Sequence, residues 1–273
     1  MKIFVFDLDG TILQDSHQIH PESYRAIKEL IKCGKEIVFA SGRMLPSIQK
    51  LLSKYFEKEF PIIAYNGTVV WLPGVGKILD VKVDTKDAIE VINYLRELKI
   101  HRQAYINDKL VVEEDNEYAR AYSEHSQVEL VVVDDLVDEV KKHGTSKLLA
   151  IAEPHVLDSI IPELREKFPN LKIFKSFDTY LDFVPAGYDK GYALKLIAQV
   201  KKWDLSQAVA FGDNDNDIPL FEAVGYSVAV ENATDGLKEV ADVVVKSNKD
   251  GGPGSFILDM LDNGKWDCDI QKS

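Results

Sequence analysis

Asp7 and Asp9 are the residues best placed to do chemistry in this sequence. They are two carboxylates one position apart, preceded by the apolar run Ile3-Phe4-Val5-Phe6 and followed by Gly10-Thr11. The run reads as a buried parallel strand and Gly-Thr as the turn that leaves it. Period-two geometry aims both carboxylates roughly the same way, into the crevice at the carboxyl ends of strands where open α/β sheets bind ligands. Like charges that close repel, so such a site must hold a cation, a shared proton, or both.

Three further clusters follow apolar runs. Ser41-Gly42-Arg43 comes after Val38-Phe39-Ala40, where the Ser41 hydroxyl and nearby backbone N–H groups can hold an anion. Lys190 opens a helix after Gly187-Tyr188-Asp189. A cation there is unfavourable unless an anion pairs with it. Gly212-Asp213-Asn214-Asp215-Asn216-Asp217 follows Ala208-Val209-Ala210-Phe211 and precedes a helix. Its acids and amides form a dense set of hard oxygen ligands, suited to Mg²⁺ or Ca²⁺. It lacks the downstream Gly and spaced Glu of an EF-hand, and a strand precedes it. In a doubly wound sheet these four loops share one edge.

The elements that must position them alternate between strand and helix. Pro21 opens a helix through Tyr24, Ile27, Leu30 and Ile31 that ends at Gly34. The strand Ile37–Ala40, a helix through Ile48, Leu51, Leu52 and Tyr55, and the strand Ile62–Tyr65 follow. Asn66-Gly67 then gives a hairpin signal. This order predicts a parallel sheet with helices on both faces. From about Lys82 to Val184 mixed helices and hairpins read as an α+β module, one sheet with helices on a single face. Pro185-Ala186-Gly187 reads as a return hinge, after which α/β alternation resumes. The smaller module is thus inserted into the larger domain.

With 273 residues the chain is long enough for two domains. Its formal net charge of -12 argues against non-specific nucleic-acid or anionic-membrane binding, so local cations must capture an anionic substrate. Cys33 and Cys268 cannot build a disulfide framework, which suggests a reducing compartment, and Cys33 reads as inert. No apolar stretch approaches membrane-spanning length, and Asp7 interrupts any signal-peptide pattern. A cytoplasmic soluble protein, monomer or weak homo-oligomer, is expected. The sequons Asn66-Gly67-Thr68 and Asn232-Ala233-Thr234 are then chance matches. His17 and His20 stand on a loop without a third ligand, so no zinc site is read there. Phe174, Phe177, Tyr180 and Phe183 read as packing residues, and Glu113-Glu114-Asp115 as a solvated helix start.

Taken together, Asp7-Leu8-Asp9-Gly10-Thr11, Ser41-Gly42-Arg43, Lys190-Gly191 and Gly212–Asp217 resemble the four motifs of the haloacid dehalogenase superfamily. The insert between the second and third motifs, with Ala64-Tyr65-Asn66-Gly67, resembles the Cof-type phosphatases with a type IIB cap. Ser247-Asn248-Lys249-Asp250-Gly251 resembles that family's late loop, with Gly252-Pro253-Gly254 replacing its small apolar continuation. The resemblance implies an α/β fold: a doubly wound, Rossmann-like parallel-sheet core (1–81 and 185–273) with an inserted α+β cap domain (82–184).

It also implies roles. Asp7 is expected to be the nucleophile that forms an aspartyl phosphate. Asp9 would protonate the leaving group and then deprotonate water. Mg²⁺ would be held by Asp7, the Asp9 backbone carbonyl and Asp213, with Asp217 on the metal or on one of its waters. Ser41, Gly42 and Lys190 would grip the phosphate. Asn216 would touch Lys190 or phosphate, and Arg43 either substrate or solvent. The implied activity is a Mg²⁺-dependent phosphatase acting on small phosphorylated metabolites, sugar phosphates foremost. A phosphomutase or phosphotransferase of the same superfamily is the alternative, and a non-catalytic sugar-phosphate binding module the third reading. The cap is expected to set substrate choice.

Overall fold

A computed structural model describes residues 1–15 and 18–268, with His125 described by its backbone alone. The chain divides into two compact units. Met1–Gly42, Leu51–Ile78 and Asp189–Ser273 form the first, and Arg43–Lys50 with Leu79–Tyr188 the second.

In chain order the first elements are β1 (Ile3–Asp7), α1 (Pro21–Lys32), β2 (Glu36–Ala40), α2 (Leu45–Ser53), β3 (Ile62–Ala64), β4 (Val69–Leu72) and β5 (Gly76–Asp80). Next come α3 (Thr85–Glu97), β6 (His101–Ile106), β7 (Lys109–Val112), α4 (Glu117–Ser126), β8 (Leu130–Val132), α5 (Leu136–His143), β9 (Leu148–Ile151), α6 (Pro154–Lys167), β10 (Leu171–Phe177) and β11 (Tyr180–Pro185). The chain closes with α7 (Lys190–Lys201), β12 (Ala208–Gly212), α8 (Ile218–Ala223), β13 (Tyr226–Val230), α9 (Asp235–Val240), β14 (Val243–Val245) and α10 (Gly252–Asp262).

The larger sheet has the order β14-β13-β12-β1-β2-β3-β4-β5. Pairing is parallel from β14 through β3, and β4 then runs antiparallel to β3. All five residues of β1 are buried, as a strand between two others and covered on both faces requires. Strand order reverses between β1 and β12, which makes their carboxyl ends the switch point where α/β sheets open a crevice. The α1 helix starts as its sequence predicts, with Pro21 in the first turn. His20 Nδ1 accepts the Glu22 N–H at 3.2 Å, so this histidine serves as a helix cap. His17 lies outside the described residues.

The second sheet has the order β10-β11-β9-β6-β7-β8. Ala104 and Ile106 of β6 join an apolar core with residues of α3, α5 and α6. The expectation of helices on a single face fails at α4. His101 and Tyr105 have the opposite parity on β6, and they pack against Tyr118 and Tyr122 of α4. The second face carries polar and aromatic groups, and α4 meets it with tyrosines rather than an aliphatic stripe.

Other expectations are corrected too. Glu113 is no solvated helix start: it pairs with Arg96 and Arg102, and accepts the Leu136 N–H at 3.0 Å. Phe183 is buried, but Phe177 is 58% exposed. Cys33 is not an inert thiol, since it forms a disulfide with Cys268 across a sequence separation of 235. Beside it the indole of Trp266 packs edge-on against Phe4. No helix among the described residues is long and apolar enough to cross a membrane.

Candidate active site

Asp7 ends β1 and is 5% exposed; Lys190 opens α7 and is 1% exposed. Residues 183 positions apart in the chain meet here, because Lys190 Nζ donates to Asp7 Oδ1 at 2.6 Å. The same ammonium donates to Asp217 Oδ1 at 2.6 Å. Asp217, fully buried, accepts the N–H groups of Asp213 and Asn214 on its other oxygen at 3.0 and 3.2 Å. Thr11 donates its hydroxyl to Asp213 Oδ1 at 3.0 Å. Gly10 has φ +77, and a Cβ there would overlap the Asp213 carboxylate. Glycine is therefore needed both for the turn after Asp9 and for room beside Asp213.

One carboxylate oxygen from each of Asp7, Asp213 and Asp217 lies within 4.8 Å of the others. Burial pushes the Asp7 carboxyl well up from the ordinary range. Lys190 opposes this, while Asp217 and Asp213 add to it. Asp213 is pushed up to about 6, first by burial and then by the Asp217 charge. Burial alone would lower Lys190, but Asp217 and Asp7 hold it above an ordinary lysine, so it stays an ammonium. Among the described residues, two buried acids and the half-buried Asp213 thus gather beside Lys190. All the donors are hard oxygens whose repulsion a divalent cation would relieve, so they suit such an ion.

Asp9 lies half-buried two residues beyond β1, in a loop whose backbone bridges Leu13. Ser41, 2% exposed, directly follows β2, its N–H donating to the Ile63 carbonyl at 2.9 Å. Gly42 sits against the Asn66 side chain. Asn216 Nδ2 donates to Asn66 Oδ1 at 2.9 Å, a partner that was not expected. Arg43 belongs to the second unit.

Sequence reading passed over several bracing residues. Asn232 Nδ2 donates to the Gly10 carbonyl at 2.8 Å and Asn248 Nδ2 to the Leu13 carbonyl at 2.7 Å, so both clamp the loop after Asp7. Thr234 donates its hydroxyl to Asp215 Oδ1 at 2.5 Å. Their common signal was available, since Asn232 follows β13 and Asn248 follows β14 on the same sheet edge.

Comparison with known proteins agrees with the motifs. The chain is 27% identical to a 5-amino-6-(5-phospho-D-ribitylamino)uracil phosphatase of Bacillus subtilis, over 97% of this chain and 100% of that protein. It is 25% identical to a pyridoxal phosphate phosphatase of Escherichia coli, over 95% and 98% of the two. The crystal structure of TM0651 from Thermotoga maritima superposes with a TM-score of 0.88 at 43% identity, covering 98% of each chain. The family profile of the haloacid dehalogenase-like hydrolases matches residues 4–257, and the chain belongs to that family.

Proposed function

We propose that this protein is a Mg²⁺-dependent phosphatase that hydrolyses small phosphorylated metabolites, sugar phosphates among them, through an aspartyl phosphate on Asp7. The observation that carries the reading is the gathering of the Asp7, Asp213 and Asp217 carboxylates beside the Lys190 ammonium. The phosphatase names of the two relatives above support the reaction class, and both named substrates are small phosphorylated molecules.

In this reading the Asp7 carboxylate attacks phosphorus and the bond to the leaving oxygen breaks. Asp9 gives that oxygen a proton. Water then attacks the aspartyl phosphate, Asp9 takes the water's proton, and Asp7 is restored as phosphate departs. Lys190 orients Asp7 and offsets charge on the phosphoryl oxygens, with Ser41 and the Gly42 backbone beside it. Asp7, Asp213 and the Asp9 carbonyl would hold Mg²⁺, with Asp217 on the ion or its water. Bound there, the ion supplies neutralisation of phosphate charge. Asp217 holds Lys190 in place.

The deciding experiment is a panel of phosphorylated metabolites incubated with protein and Mg²⁺, assayed for free phosphate. Release from at least one small monoester, lost on chelation, is expected. Phosphate that stays on an isomerised product would mean a mutase instead. Binding without turnover across the panel would leave only a binding module.

A further inference from the structure

The turn that carries Asp9 is fastened at both ends. Upstream, the Leu8 carbonyl just past β1 accepts the N–H groups of Thr11, Ile12 and Leu13 at 3.3, 3.1 and 2.9 Å. Downstream, Asn232 Nδ2 holds the Gly10 carbonyl and Asn248 Nδ2 the Leu13 carbonyl. The two residues are joined, because the Asn248 N–H donates to Asn232 Oδ1 at 3.0 Å. Their partners settle their polarity: a backbone N–H only donates and a carbonyl only accepts, so neither amide can turn over without losing a bond. Asn232 and Asn248 follow β13 and β14, so they reach past β12, the strand between β13 and β1. The loop after β13 also holds the β12 loop, since the Thr234 N–H donates to the Asp213 carbonyl at 2.9 Å. One loop therefore sets the Asp9 turn against the residue proposed to hold the metal ion.

These bonds do more than satisfy carbonyls. Asn232 is exposed, and water could serve the Gly10 carbonyl there, so the bond adds little stability. What a side-chain amide adds, and water does not, is a fixed place. Gly10, at φ +77, is the most pliant point of the turn, and it is the residue after Asp9 that Asn232 grips. Proton transfer needs that place. A general acid must stand within hydrogen-bond reach of the leaving oxygen, and a displacement of about 1 Å can cost ~10²-fold in rate. We propose that Asn232 and Asn248 are positioning residues that hold the Asp9 carboxyl where it can protonate the leaving oxygen. This deepens the phosphatase reading above and rests on it.

Leaving groups that need no proton separate positioning from mere support. Nitrophenolate departs unprotonated, whereas an alkoxide must be protonated as its bond to phosphorus breaks. The substrates are p-nitrophenyl phosphate and the alkyl phosphate turned over fastest in the panel above, both with Mg²⁺. For each, kcat/KM reports the steps up to phosphoryl transfer and excludes the later attack of water. Asn232→Ala should keep its melting temperature and lower kcat/KM for the alkyl ester roughly tenfold to a hundredfold more than for the aryl ester. Asn248→Ala should move the ratio the same way; Asn248 is buried, so Asn232→Ala decides if that protein does not fold. Asp9→Asn should move the ratio furthest. Adding Asn232→Ala to Asp9→Asn should not move it again, because the amide acts through the carboxyl. Equal losses for the two esters in folded Asn232→Ala, or a ratio that falls further in the double variant, would overturn the proposal and leave the phosphatase intact. Wild-type protein that releases phosphate from neither ester would overturn the phosphatase reading itself, and this proposal with it.

Discussion

The two units bury charge by opposite rules. In the first, among the described residues, Lys190 pairs with both Asp7 and Asp217, and Asp213 lies beside them. In the second, Lys147 pairs one to one with Asp182 at 4% and 0% exposure. Burial alone would lower Lys147, but the Asp182 charge overcomes it and raises it. Glu113 and Asp135 likewise meet Arg96 and Arg102, two acids with two bases. The balanced groups tie elements together: Lys147 adjoins β9, Asp182 lies on β11, and Glu113 joins α3, β6 and the start of α5. Two buried carboxylates and a half-buried third around Lys190 are costly to a fold unless their charge is offset. The contrast supports the proposed place for a cationic ligand and a reaction beside Asp7.

The largest expected effect breaks the comparison at Asp7. Asp7→Asn should lower turnover by at least about 10⁴-fold, because it removes the proposed nucleophile. Thermal stability should hold or rise, since burial disfavours the Asp7 charge and Asp217 and Asp213 repel it, together outweighing its attraction to Lys190. An Asp7→Asn protein with wild-type turnover would remove the covalent mechanism.

Breaking a balanced pair should do the reverse. Lys147→Met leaves Asp182 buried and unpaired, and should destabilise the second unit by about 3–5 kcal/mol. Hydrogen exchange of β9 and β11 amides would read it. Unchanged protection there would deny the pair its structural role.

A divalent cation should separate the regions directly. Mg²⁺ at a hundredfold excess over its Kd should stabilise the first unit by about 2.7 kcal/mol, and Asp213→Asn should remove most of that gain. Protection of the second unit's amides should not respond. Equal stabilisation in wild type and Asp213→Asn would place the ion elsewhere.

The smallest effect is the pH dependence of Glu113. Burial would raise its carboxyl, but hydrogen bonds from Arg96, Leu136 and Arg102 together hold it below the ordinary range. A depressed folded-state pKa contributes stability that is full above the unfolded value. That stability is lost as pH falls from there through the folded value. The second unit should therefore weaken on acidification below about pH 4.5, and Glu113→Gln should flatten that part of the profile. Melting curves between pH 3 and 7 that are parallel for both proteins would contradict the assignment.

Much of the site was legible because strand-end loops in an α/β sheet must share an edge. Apolar runs located β1, β2 and β12, and the polar residues directly after them were Asp7, Ser41 and Asp213. Glu113 misled because a short acidic run looks solvated until Arg96 and Arg102 are brought to it. The Cys33–Cys268 bond was invisible for the same reason, since two cysteines 235 positions apart carry no local signal.

By itself, the sequence determined the kinds of group available, the alternation of elements and the family, all encoded by neighbours in the chain. Periodicity and turn chemistry act over a few residues, so they survive in one dimension. Only the tertiary structure decided which groups touch: Lys190 between Asp7 and Asp217, Asn66 against Asn216, Lys147 on Asp182. Those pairings depend on strand order and register, which set distances between residues remote in the chain. Burial then makes each meeting of charges far stronger than it would be in water.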